Sequence, residues 1–207
     1  MMPSQSESVG ENQAADWQDG RMTDSRTTEN NPIRVNWIDD PALHGAERTA
    51  GRLGMTFLPG KKADGISGRH DRILALDAQA LRDAWNVALL VVLVEDHELA
   101  RFHVADLERV MNGVGIDVVR FPIPDGAAPS DTDGTRTLVL TIQARLDAGD
   151  NVAIACRGGL GRTGTIAACT LIGAGLPARE AIQAVRVARH GTIETSEQEN
   201  FVASFTP

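Results

Sequence analysis

The stretch Asn151-Val-Ala-Ile-Ala-Cys-Arg-Gly-Gly-Leu-Gly-Arg-Thr-Gly164 decides the reading of this chain. Asn151–Ala155 reads as a buried strand, Cys156–Arg162 as a glycine-rich turn, and Thr163–Gly175 as an apolar helix. Gly158, Gly159 and Gly161 let the backbone curl so that successive N–H groups point into one concavity. The helix that follows turns its positive end to the same spot. A dianionic phosphate fits such a cradle. Arg162 can add two parallel hydrogen bonds, which a lysine could not do with the same geometry. The same field favours the nucleophilic thiolate of Cys156. Charge agrees: from Cys156 to His190 there are five arginines (157, 162, 179, 186, 189) against Glu180 alone, a local +4 in a chain of −8. The expected phosphate-binding loop is therefore Arg157, Gly158, Gly159, Leu160, Gly161 and Arg162, opened by Cys156.

Three plainer readings compete. A structural glycine turn with an inert core cysteine leaves unexplained why glycines, Arg and Cys converge on one strand-to-helix turn. Gly159-Leu-Gly161-Arg-Thr-Gly164 matches the dinucleotide fingerprint literally. That fingerprint, however, needs a second strand after the helix, whereas Gly175-Leu-Pro177 leads into another helix. An ATP-type loop would need a closing Lys-Ser/Thr pair, which is missing.

Expelling an alkoxide or phenoxide near neutrality needs a proton donor. Asp125, in Phe121-Pro-Ile-Pro-Asp-Gly126, sits on a stiffened approach to a sharp turn, although an Asp before Gly is also an ordinary turn residue. Asp131 and Asp133 are rivals, and Asp133 reads equally as a helix N-cap before Gly134. The hydroxyl of Thr163, next to Arg162, can hydrogen-bond the Cys156 sulfur, or else satisfy its own backbone as a first-turn threonine. Cys169, about two helical turns further on, reads as a small core residue. The five histidines share no ligand spacing, so no metal is expected, nor any other cofactor.

Outward from the loop, strands and helices alternate. Strands are expected at Ile33–Trp37, Met55–Leu58, Val87–Val94 and Ile116–Phe121. Helices are expected at Asp71–Trp85, Val104–Gly113 and Thr135–Ala148, then from Pro177 to about Arg189, and at Ser196–Ser204. This alternation predicts a three-layer α/β domain. Residues 1–31 are polar and without apolar periodicity, which predicts a disordered tail ahead of one domain over 32–207. Two cysteines in 207 residues exclude a disulfide scaffold and fit a reducing compartment. Met1–Gly10 carries no signal-like apolar stretch, and Val87–Val94 is too short to span a bilayer. A cytoplasmic protein is expected, without membrane attachment. The net acidity argues against general nucleic-acid binding.

Cys156-x5-Arg162-Thr163 resembles the signature of the protein tyrosine and dual-specificity phosphatases. Together with Phe121-Pro-Ile-Pro-Asp-Gly126 and Gly191-Thr-Ile-Glu-Thr-x-x-Gln198, it resembles the cyclin-dependent-kinase-associated members over about Leu53–Phe205. The resemblance implies a central, mostly parallel sheet of four or five strands flanked by helices. It implies a phosphocysteine intermediate on Cys156, Asp125 as acid and then base, and no metal. It also implies Gln198 beside the hydrolytic water and a phosphorylated protein as substrate. One position departs: the family usually has His before the nucleophile, and here it is Ala155. An alternative follows from that departure, a phospho-binding module that has lost turnover.

Overall fold

The structure, a computed structural model, describes residues 17–18, 21–22, 25–39, 51–65 and 68–207. Its elements in chain order begin with the short strands β1 (Trp17–Gln18), β2 (Arg21–Met22), β3 (Arg26–Thr27) and β4 (Asn36–Trp37). They continue with β5 (Leu53–Phe57), β6 (Lys62–Gly65), β7 (Gly68–Asp71), α1 (Leu74–Asp83) and β8 (Val87–Val92). Then come α2 (Asp96–Arg101), α3 (Leu107–Gly113), β9 (Asp117–Arg120), α4 (Thr132–Asp147), β10 (Asn151–Cys156), α5 (Gly161–Gly173), α6 (Ala178–Ala188) and α7 (Ser196–Ser204).

The central sheet has the order β4-β5-β10-β8-β9. β5, β10, β8 and β9 run parallel, and only the edge strand β4 is antiparallel, so the sheet is mixed. β10 lies at its centre, with Val152 to Cys156 buried. Val87 and Leu89–Val94 are buried without alternation, as expected of a parallel strand covered on both faces. Helices α1 and α3 pack with each other and against β8 and β9 respectively, while α4 and α5 pack on β10. On α4 the buried residues Thr135, Leu138, Val139, Ile142 and Leu146 form one helical stripe. Helix α5 is buried from Gly161 to Ile172, enclosed by the sheet and by α4, α6 and α7.

Several expected boundaries shift. The strand expected at Ile33–Trp37 is only Asn36–Trp37, because just those residues pair with β5. The N-cap of α4 is Asp131, whose carboxylate accepts the Gly134 N–H at 2.8 Å; Asp133 lies one residue inside and instead pairs with Arg136. Pro177 caps α6 rather than starting it. Helix α2 was not expected, nor were β6 and β7. Within the stretch read as a tail, Arg26–Thr27 pair with β7, and residues 25–31 belong to the described part; most of residues 1–24 lie outside it.

The parallel strands end on one side, and their following loops share it. β5 leads into Leu58-Pro-Gly-Lys61, β8 into the turn before α2, β9 into Phe121–Gly126, and β10 into Cys156–Leu160. In open α/β sheets this carboxyl end is where ligands bind.

Candidate active site

Cys156 closes β10 and is 3% exposed. The turn after it passes hard against the end of β5. Gly159 has φ +70°, and a side-chain carbon there would collide with the Thr56 carbonyl. A side-chain carbon at Gly161 would collide with Glu194 and Gln198, and one at Gly164 with Thr192. Gly158, by contrast, has only the Leu160 side chain near it. Gly159 is thus the turn's conformational requirement, while Gly161 and Gly164 are demanded by close packing.

Arg162 is buried, and both of its terminal nitrogens are engaged. One terminal nitrogen donates to Glu98 Oε2 (2.6 Å) and to the Ile123 carbonyl (2.9 Å). The other donates to Glu98 Oε1 (3.0 Å) and Asp125 Oδ1 (2.8 Å). Glu98 is itself fixed by the start of α2, where its Oε2 accepts the Glu95 N–H at 2.9 Å in a capping box. Burial disfavours both charges, yet the hydrogen bonds between them outweigh it. Glu98 is held below the usual carboxylate range and Arg162 is pushed further up.

Asp125 is the exposed member, with its side chain 58% accessible, and it lies between two guanidinium groups. Its second oxygen is 3.7 Å from Arg157. The structure therefore brings Cys156, Arg162 and Asp125 together, while the rival Asp131 is occupied as a cap. Thr163 is buried beside them in sequence, but its hydroxyl has no hydrogen-bond partner among the described residues. The bond to the Cys156 sulfur expected from the sequence is not made.

Gln198 is also placed at the loop, though with its amide committed. Its Oε1 accepts the N–H groups of Glu194 (2.9 Å) and Thr195 (3.4 Å), and its Nε2 donates to the Ala127 carbonyl (3.2 Å). It thereby joins the turn before α7 to the loop that carries Asp125. Glu194 takes the Gly161 N–H at 2.8 Å. That donor of the expected cradle is thus taken by a carboxylate.

Four further residues touch the loop: Glu98, Glu194, Lys61 and Arg189. Lys61 Nζ donates to the Arg157 carbonyl (3.0 Å). Arg189 donates to the Gly158 carbonyl (2.9 Å) and to Asn36 Oδ1 (2.6 Å). None was singled out as a site residue: each reaches the loop from a separate element, Glu194 stood unremarked inside the Gly191–Gln198 motif, and Arg189 counted only towards the local charge. The nearest signal was Glu95-x-x-Glu98, a helix start whose carboxylate is turned inward.

These features have counterparts in known proteins. Residues 68–176 match the family model described as "Tc-R-P: Polymorphic toxin system, DSP-PTPase phosphatase". The chain is 28% identical over 180 residues to cyclin-dependent kinase inhibitor 3 of Sus scrofa, covering 86% of this chain and 80% of that protein. Among solved structures, it is similar to kinase associated phosphatase bearing a serine in place of its catalytic-site cysteine. The TM-score there is 0.72 at 26% identity, with coverage of 84% of this chain and 93% of that one. Tk-PTP in its active form gives a TM-score of 0.57 at 31% identity, over 76% and 92% of the two chains. With the loop Cys156–Arg162 lying at the carboxyl end of a mixed five-stranded sheet, the chain belongs to the dual-specificity and tyrosine phosphatase family.

Proposed function

We propose that this protein is an active cysteine-dependent phosphatase that hydrolyses phosphomonoesters on phosphoproteins. The observation that carries the reading is the convergence of Arg162 and Asp125 (2.8 Å) on the loop opened by Cys156. An incoming phosphoryl group takes over the outer hydrogen bond of Arg162 and releases Asp125, while Glu98 keeps the guanidinium in place. The Cys156 sulfur attacks phosphorus, the bond to the leaving oxygen breaks, and protonated Asp125 gives that oxygen its proton. Water then attacks the phosphocysteine, Asp125 takes a proton from it, and the S–P bond breaks to return the thiolate and free phosphate. The buried Thr163 hydroxyl, without a partner among the described residues, is available to the returning thiolate. Gln198 acts by holding the Asp125 loop against the turn before α7.

The family's alternative outcome, a phospho-binding module, is favoured by one observation. Ala155, where relatives usually carry His, is fully buried between Thr56 and Val92. Turnover of p-nitrophenyl phosphate without added metal separates the two readings. The expected result is turnover by the parent and its loss in Cys156→Ser, with phosphate binding retained because the backbone donors and Arg162 remain. Phosphate binding by a parent that shows no turnover would establish the binding module instead.

A further inference from the structure

We infer that Lys61 is a positioning residue for the phosphate loop, holding the Arg157 carbonyl turned outward and setting a positive charge beside Cys156. The inference rests on Cys156 being the nucleophile. The geometry begins at Gly60, whose φ of +71° turns the chain after β5. The Gly60 N–H is donated to Asp77 Oδ2 at 2.8 Å, and Asp77 is gripped by Arg72 through two bonds of 2.8 and 2.7 Å. Both members of that pair are fully buried. The backbone that carries Lys61 is therefore pinned to the start of α1.

From this fixed point the Lys61 side chain, only 7% exposed, runs over the Phe57 ring, with its nitrogen 4.9 Å from the ring centre. It ends on the Arg157 carbonyl at 3.0 Å. Arg157 directly follows Cys156. A trans peptide plane points its C=O and its N–H in opposite directions. A donor that holds the Arg157 oxygen on one side thereby aims the Gly158 N–H to the other. Arg189 does the same to the next plane through the Gly158 carbonyl. A buried lysine and a half-buried arginine thus orient consecutive peptide groups of the loop from behind, in a chain where the residue before the nucleophile is alanine.

The electrostatics fit this role. Burial lowers the Lys61 ammonium to about 8, with Arg157, Arg72 and Arg189 adding repulsion and the Cys156 charge opposing the fall. His70, whose own titration is depressed in part by Lys61, is the other titratable group that faces it, and it stays neutral near pH 7. Lys61 is thus a charged brace at neutrality that discharges as pH rises past 8.

The test uses the full chain with Lys61→Met and Lys61→Gln, each followed by iodoacetate inactivation against pH and by a thermal melt. Both substitutions remove the charge; glutamine keeps a hydrogen-bond donor, and serves if methionine does not fold. In a folded variant, half-maximal alkylation is expected about one pH unit higher than in the parent, making inactivation about tenfold slower below that point. Where the parent turns over p-nitrophenyl phosphate, its rate is expected to fall above pH 8, and that limb is expected to vanish in both variants. A folded variant with the parent's alkylation profile would overturn the inference, whatever its melting temperature. Alkylation reads the thiol itself, so it decides the role of Lys61 even in a protein without turnover.

Discussion

Two residues carry separable expectations. Arg162 fits its surroundings as a fork, with two nitrogens meeting the two oxygens of Glu98 while one of them also reaches Asp125. Lysine keeps the charge but loses the fork. Arg162→Lys is expected to lower kcat by ~10²–10³, measured as p-nitrophenyl phosphate turnover, since a preorganised donor at the transition state is lost. His70 bears on stability instead. Burial first, and then Lys61, Arg26 and Arg72, push its titration down from 6.5 to about 4. Between those values the unfolded chain binds a proton that the folded chain refuses, so this group makes stability fall as pH drops from 6.5 towards 4. His70→Phe keeps a ring against Phe57, whose centre lies 6.1 Å away, and removes the titration. Denaturant melts across that window are expected to show a slope with pH shallower by up to ~1.4 kcal/mol per unit.

At the level of elements, the strand–turn–helix from Asn151 was legible because one stretch holds the whole signal: a short apolar strand with Val152 and Ile154, spaced glycines, then an apolar helix. Asp125 was legible for the same reason, through its prolines and Gly126. Helix α2 was not. It spans six residues, Asp96–Arg101, and buries only Glu98 and Leu99, so no apolar period marks it; yet it supplies the partner that fixes Arg162. The hairpin β6–β7 is polar and glycine-rich, so no apolar alternation marks it, and its further partner β3 lies some forty residues away in the chain. The turn offers a sharp test of its own. At Gly159 the positive φ and the carbonyl of Thr56 leave no place for a side chain. Gly159→Ala is expected to displace the loop and cut turnover on the order of 10²-fold, the scale of a misplacement near 1 Å. Gly158→Ala meets only a side chain at 3.9 Å and is expected to leave the melting temperature within about 2 °C.

For the whole molecule, the informative region is the one that reads as a tail. Arg72 donates to the carbonyls of Thr27 (3.3 Å) and Asn31 (2.7 Å). The Thr28 hydroxyl donates to Asp77 and accepts the Ile73 N–H. Residues 27–31 thus complete the buried Arg72–Asp77 pair that also anchors Gly60. Composition hides this, because two of the four bonds run through backbone carbonyls that any residue could supply. Removing residues 1–24 leaves each of these bonds in place. Removing residues 1–31 strips them from a pair with no solvent access, at an expected ~2–4 kcal/mol, or roughly 5–15 °C in melting temperature. Calorimetry of the two truncations checks it, and equal melting temperatures would refute it.

The enclosure of α5 has a consequence for oxidative damage. Cys169 sits on that helix without solvent access, and burial pushes its thiol far above the ordinary range. The chain contains two cysteines, so Cys156 has no thiolate at hand to condense with. Peroxide that converts Cys156 to a sulfenic acid therefore leaves it open to further, irreversible oxidation unless a small thiol from solution caps it first. Mass analysis of peroxide-treated protein is expected to show added oxygen, or a glutathione adduct when glutathione is present, on the peptide bearing Cys156. It is not expected to show a crosslink to Cys169, and recovery of the protein after oxidative stress would depend on the thiol pool around it.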